Sequence, residues 1–180
     1  MNYDKIIATA AQEMRASGIR KFFDIAAEMK DCISLGVGEP DFKTPWAVRD
    51  AGIRNLEMGQ TRYTSNSGMK ELRTEICKYL DRRFGLHYDP DSQVLVTVGG
   101  SEAIDIGIRA LVNPGDEVII PEPCYVCYDP ITHLTGGKVV SIPLQEKNQF
   151  RLTAEELKAA ITPRTKMLIL PFPCNPTGAV

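Results

Sequence analysis

Apolar positions along this chain recur with two different periods. From residue 69 to 84, Met69, Leu72, Ile76, Leu80 and Phe84 fall at helical spacing, and Gly85 follows where a helix would stop. The pattern predicts one helix there. Residues 94–98 then form a short β-branched run that breaks at Gly99-Gly100, and Ile104, Ile108 and Leu111 resume a helical stripe. Strand, tight glycine turn and helix are predicted in that order. The alternation continues with predicted strands at 117–121, 138–143 and 166–171 and a predicted helix at 125–134. Before the last strand, Thr153 and Glu156 have the spacing of a capping box, with Leu152 and Leu157 placed as its hydrophobic staple.

Short, nearly all-apolar strands separated by helices predict an α/β fold, with a mainly parallel sheet carrying helices on both faces. In such sheets ligands bind beyond the carboxyl ends of the strands, which directs attention to the turns that follow them.

Composition narrows the function classes. The 180 residues are 43% hydrophobic and 24% charged, enough apolar material for a sizeable core. A net charge of -2 with both signs interspersed offers no basic field for nucleic acid or an acidic membrane, so small molecules or another protein are the expected partners. Charges interrupt the first 23 residues every few positions, unlike a secretory signal or a membrane span, and a cytoplasmic location is expected. Cys32, Cys77, Cys124, Cys127 and Cys174 are too few and too scattered for a disulfide framework and read as reduced thiols. The C-x-x-C of Cys124 and Cys127 lacks a second ligand pair, and neither His87 nor His133 has a companion at ligand spacing, so no metal site is expected.

Two turns carry candidate chemistry. The segment Val98-Gly-Gly-Ser-Glu-Ala103 ends a predicted strand and opens a helix, where free N–H groups and the helix dipole favour a phosphate. Glycines would let the backbone approach the anion, and Ser101 would add a donor. A plain tight turn with Ser101 near the helix cap explains the same residues equally well. The segment is not G-x-G-x-x-G, so a dinucleotide fingerprint is not supported. The second turn, Pro173-Cys-Asn-Pro-Thr-Gly178, follows the last strand on the same sheet edge. Asn175 could offer its amide to a ligand there, or the run could simply end the strand. The constrained turn leads us to expect a cis Asn175–Pro176 bond. Ser67-Gly-Met-Lys70 fits a bare S-x-x-K, but without S-D-N or K-T-G it reads as a turn leading into a helix.

Six spaced motifs together carry a resemblance over nearly the whole chain. They are Ser17-Gly-Ile-Arg-Lys-Phe-Phe, Ile33-Ser-Leu-Gly-Val-Gly-Glu-Pro-Asp-Phe, Tyr63-Thr-Ser-Asn-Ser-Gly with Glu71-Leu-Arg73, Val98-Gly-Gly-Ser-Glu-Ala, Asn113-Pro-Gly-Asp-Glu-Val and Asn175-Pro-Thr-Gly. In this set the sequence resembles the front part of the class I and II aminotransferases, fold type I of the pyridoxal-phosphate enzymes. The resemblance implies an N-terminal arm and small-domain segment over 1–45, and over 46–180 the first part of a cofactor-binding large domain, cut short. It further implies pyridoxal 5'-phosphate as cofactor, amino acid and 2-oxo acid as substrates, and amino-group transfer between them.

Residue roles follow from the same resemblance. The amides around Gly100, Ser101 and Glu102 would bind the cofactor phosphate, Tyr125 would stack on the pyridine ring, and Asn175 would donate to its phenolic oxygen. Gly38 would let the backbone approach the substrate carboxylate. Tyr63 would reach the cofactor phosphate of a neighbouring subunit, making the site shared across a homodimer. The lysine, the acidic partner of the pyridine nitrogen and the substrate-binding arginine of this family are expected after Val180, because none of the ten lysines present matches the family's lysine motif. The fragment by itself is expected to be inactive, with open sheet edges where further strands belong. Two alternatives stay open: a C–S lyase of the same fold, and a non-catalytic half that assembles with another chain.

Overall fold

A computed structural model describes residues 5–14, 18–31, 33, 36, 38 and 42–180. Cys32 and most of the Ile33–Phe42 motif lie outside the described residues, as does Ser17. The chain divides into two units, residues 18–97 and a unit formed by 1–17 with 98–180.

The 18–97 unit contains helices α2 (Ile19–Glu28), α3 (Trp46–Glu57) and α4 (Lys70–Phe84). The end of α4 falls where the sequence places it. Gly85 adopts φ 67°, ψ 24°, a left-handed conformation that costs little without a Cβ; its N–H donates to the Asp81 carbonyl and the following Leu86 N–H to that of Leu80. Glu71 in the first turn and Arg82 and Arg83 in the last suit the helix dipole. Within the unit the buried residues of α4 are Arg73 and Cys77, whereas Met69, Leu72 and Phe84 of the predicted stripe are exposed.

The predicted strand at 94–98 does not form. Val96 donates its N–H to the Ser67 carbonyl instead, and the sheet contains no strand from this segment. A β-branched run supplies propensity only; a strand also needs a neighbouring ladder, and the described residues offer it none.

The second unit holds the sheet. Its elements are α1 (Thr9–Gln12), α5 (Gly100–Leu111), β1 (Glu117–Glu122), α6 (Tyr128–Leu134), β2 (Lys138–Pro143), α7 (Ala154–Ala160) and β3 (Thr165–Leu168). The strand order is β2-β1-β3, and both pairings are parallel, with Glu117 opposite Lys138 on one side and Thr165 on the other. The α/β class and the parallel sheet expected from the sequence are therefore present. Central strand β1 buries Val118, Ile119 and Ile120 completely, so both of its faces are covered, as an unbroken apolar run requires. Val118 and Ile120 pack with Ile108 and Val112 from the α5 end and with Tyr128 from α6. Burying one such aliphatic side chain contributes roughly 1.5–3 kcal/mol.

Three local features explain the element boundaries. Thr153 and Glu156 form both halves of the predicted capping box, fixing the start of α7. Helix α6 begins at Tyr128 and not at Tyr125, because Pro130 has no N–H to donate and is tolerated only in the first turn. Strand β3 ends at Leu168, three residues before Pro171 removes another donor, although Ile169 still donates to Ile119. At the base of the sheet, buried Glu117 accepts hydrogen bonds from Thr162 and from Arg164, which hold its carboxyl below the usual range. Among the described residues no helix is long and apolar enough to cross a membrane.

Candidate cofactor site at the carboxyl edge of the sheet

The glycine turn before α5 adopts a backbone that its sequence anticipates. Gly99 sits at φ 100°, ψ 163°, a region closed to residues with a Cβ, and it caps α5 without offering a side chain. The first-turn amides of Gly100, Ser101 and Glu102 thus have no capping oxygen, and a Cβ built on Gly99 or Gly100 meets nothing within 4 Å. Open space lies directly against the bare backbone. The Glu102 carboxylate is turned backward, accepting a hydrogen bond from the Val98 N–H at 2.5 Å. That contact ties the turn to the helix and commits the one acidic side chain of the first turn to a local partner.

Tyr125 comes from the loop after β1 and reaches the same place. Its hydroxyl is 3.1 Å from the Ser101 hydroxyl, and its ring meets Tyr128 edge-on with centroids 5.8 Å apart. The Ser101 hydroxyl also hydrogen-bonds the Cys127 thiol, opposing the upward push that burial gives that group. Burial and the Glu122 charge raise the neighbouring Cys124 thiol to about 11.

The Asn175 turn is fastened to this loop by the buried Cys174, whose thiol donates to the Pro123 carbonyl at 3.4 Å. The turn is closed by Gly178 donating to the Cys174 carbonyl and Cys174 donating to Ala179. The Asn175–Pro176 bond is cis, as the constrained turn suggested. Asn175 itself is exposed and makes no hydrogen bond to the described residues. The other two candidates belong to the 18–97 unit. Tyr63 is fully exposed at 106% and its hydroxyl has no partner among the described residues; Gly38 is exposed, with open space where a Cβ would stand.

Three contacts here were not anticipated from the sequence. The Glu102 side chain on Val98 was detectable in principle, because an acidic residue at the third helical position commonly reaches back past the cap. Cys127 on Ser101 and Cys174 on Pro123 are tertiary contacts with no sequence signal.

Chemically the donor set is that of an anion site. Uncapped helical amides, the Ser101 hydroxyl and the Tyr125 hydroxyl surround open space at the positive end of a 12-residue helix. These residues fit a phosphate monoester, and the exposed Asn175 amide adds a neutral donor for a further oxygen.

The family described as aminotransferase class I and II matches residues 30–180. A putative aminotransferase of Bacillus subtilis, YugH, is 54% identical over 169 residues, spanning 94% of this chain and 44% of that protein. The aspartate aminotransferase of Pyrococcus abyssi is 48% identical over 91% of this chain and 42% of its own length. Among solved structures, a single mutant of Thermus thermophilus aspartate aminotransferase superposes with a TM-score of 0.89 at 38% identity, covering 97% of this chain and 46% of that one. The chain spans less than half the length of the curated relatives it matches.

Proposed function

This chain belongs to the class I and II aminotransferase family, and from that premise we propose that the whole protein is a pyridoxal-phosphate-dependent transaminase acting on an amino acid and a 2-oxo acid. Bound pyridoxal phosphate would supply an electron sink that lets an amino group leave one carbon skeleton and join another. This chain's residues do the holding and orienting. The amides of Gly100, Ser101 and Glu102, with the Ser101 hydroxyl, bind the phosphate at the head of α5. The Tyr125 ring stacks against the pyridine face and fixes its plane, while its hydroxyl stays on Ser101. Asn175 donates to the phenolic oxygen, favouring negative charge there and so lowering the proton affinity of the adjacent nitrogen. Bare backbone at Gly38 admits the substrate carboxylate. Tyr63, wholly exposed, extends to the cofactor phosphate of a second copy, making the working unit a homodimer.

The observation that carries this reading is the uncapped head of α5 with the Ser101 hydroxyl of its first turn 3.1 Å from the Tyr125 hydroxyl. The test loads the apo form of the whole protein with pyridoxal phosphate and follows cofactor absorbance after dialysis. A panel of acidic and aromatic amino donors is then assayed against 2-oxoglutarate. Retained cofactor and amino transfer to the oxo acid are expected; loss of cofactor on dialysis, or donor breakdown without a new amino acid, would overturn the proposal.

A further inference from the structure

Arg73 is one of two buried charged residues among those described, at 7% exposure, and the two are treated differently by the fold. Glu117 meets a guanidinium at 2.8 Å. Arg73 meets no buried carboxylate: its nearest acid, Asp91, is 3.8 Å away and half-exposed. Its donors go to backbone carbonyls instead, Nε to Gly68 at 3.3 Å and Nη1 to Pro90. Burying a guanidinium mainly to satisfy carbonyls is costly, and it achieves one geometric result: two separate loops are fixed to one helix.

The first of these loops carries Tyr63. Its turn, residues 65–68, is closed by Gly68 donating to the Ser65 carbonyl at 2.9 Å and by the Ser65 hydroxyl donating to the Gly68 carbonyl at 2.8 Å. The Gly68 carbonyl is therefore shared between Ser65 and Arg73. The turn is also pressed against Val96, whose N–H bonds Ser67 and whose side chain would stand 2.7 Å from a Cβ at Gly68. The second loop is held from outside as well, since Lys70 pairs with Asp91 at 2.9 Å. Tyr63 stands two residues before this clamped turn, fully exposed and with no side-chain hydrogen bond or ring contact among the described residues.

We infer that Arg73 is a positioning residue for the cofactor phosphate of a second copy: by clamping the Gly68 and Pro90 carbonyls it presets the loop from which Tyr63 reaches across. This rests on the proposed role of Tyr63. An exposed tyrosine on a free loop would lose conformational freedom on contact with the phosphate, and a preset loop lessens that loss, so the clamp acts on affinity through Tyr63 alone.

The experiment is a double-mutant cycle on the whole protein, reading the dissociation constant of pyridoxamine phosphate by equilibrium dialysis, with thermal melts in parallel. Tyr63→Phe is expected to weaken binding about tenfold, the effect of one hydrogen bond to a charged group. Arg73→Lys, which keeps the charge but not the two-directional fork, is expected to weaken binding about fivefold when Tyr63 is present and less than twofold in the Tyr63→Phe background. If Arg73→Lys does not fold, Asp91→Asn replaces it, with a smaller effect of the same pattern. Additive losses, or a lowered melting temperature with unchanged affinity, would make Arg73 a purely structural residue and end the inference while leaving the role of Tyr63 intact. An unchanged dissociation constant in Tyr63→Phe would remove the role of Tyr63 and the inference together.

Discussion

The Ser101 hydroxyl lies 3.1 Å from the Tyr125 hydroxyl, so the first turn of α5 and the loop after β1 meet at one polar point. Twenty-four residues and a whole helix separate the two in sequence. Their meeting turns an uncapped helix end into a site with side-chain donors.

Ser101→Ala removes the proposed donor to the phosphate and the observed partner of the Tyr125 hydroxyl. Pyridoxal phosphate affinity of the whole protein is expected to fall about tenfold, as for one charge-assisted hydrogen bond. Tyr125→Phe keeps the ring and is expected to cost less. Equilibrium dialysis of the two variants beside the parent measures both, and a larger loss for Tyr125→Phe would contradict the assignment of Ser101 to the phosphate.

Asn175→Ala deletes a donor that nothing else in its turn uses. In its proposed role, losing it would leave the phenolic oxygen of the cofactor less stabilised as an anion, so the nitrogen beside it would hold its proton more tightly. The midpoint of the bound cofactor's absorbance titration should move up by about one pH unit. A midpoint unchanged or moved down would place the Asn175 amide elsewhere.

Thr153→Ala removes the side-chain half of the α7 capping box, leaving only the backbone N–H on Glu156, and is expected to destabilise the fold by about 1 kcal/mol, read from denaturant midpoints. The same box gives a signed pH dependence. The Glu156 carboxyl is held below its ordinary 4.5 by the Thr153 backbone and side chain. Its contribution is therefore fully present above pH 4.5 and is lost as pH falls through the lowered value. The difference in stability between the parent and Thr153→Ala should shrink below that pH; a difference constant from neutral to strongly acidic solution would contradict the linkage.

The Cys124 thiol, raised to about 11 by burial and by Glu122, should be almost wholly protonated at pH 8. Time-resolved labelling with an alkylating reagent, located by peptide mass, should find Cys124 modified far more slowly than a small model thiol under the same conditions. Labelling at the rate of the model thiol would show that the segment opens readily in solution.

Local pattern was enough for much of this molecule. The end of α4 at Gly85, the capping box at Thr153, the bounds of β2 and the parallel arrangement of short apolar strands are all decided within a few residues, by glycine conformation, side-chain capping and unbroken hydrophobic runs. The same locality makes the two candidate turns recognisable, since Gly99 and the Asn175 turn have backbones that their own residues impose. The failures have the complementary cause. Residues 94–98 had the composition of a strand, yet a strand is a pairing between chains of amides, and Val96 found Ser67 in place of a ladder. Helix α6 starts at Tyr128, three residues after the predicted Tyr125, because Pro130 lacks an N–H and fits only the first turn. Tertiary structure alone decided that Ser101 meets Tyr125 and Cys127, that Cys174 fastens the Asn175 turn, and that the buried face of α4 is marked by Arg73 and Cys77. Periodicity along a chain reports which face of an element avoids water. It does not report which distant backbone group will stand opposite a given side chain, because that depends on closing the loops between them.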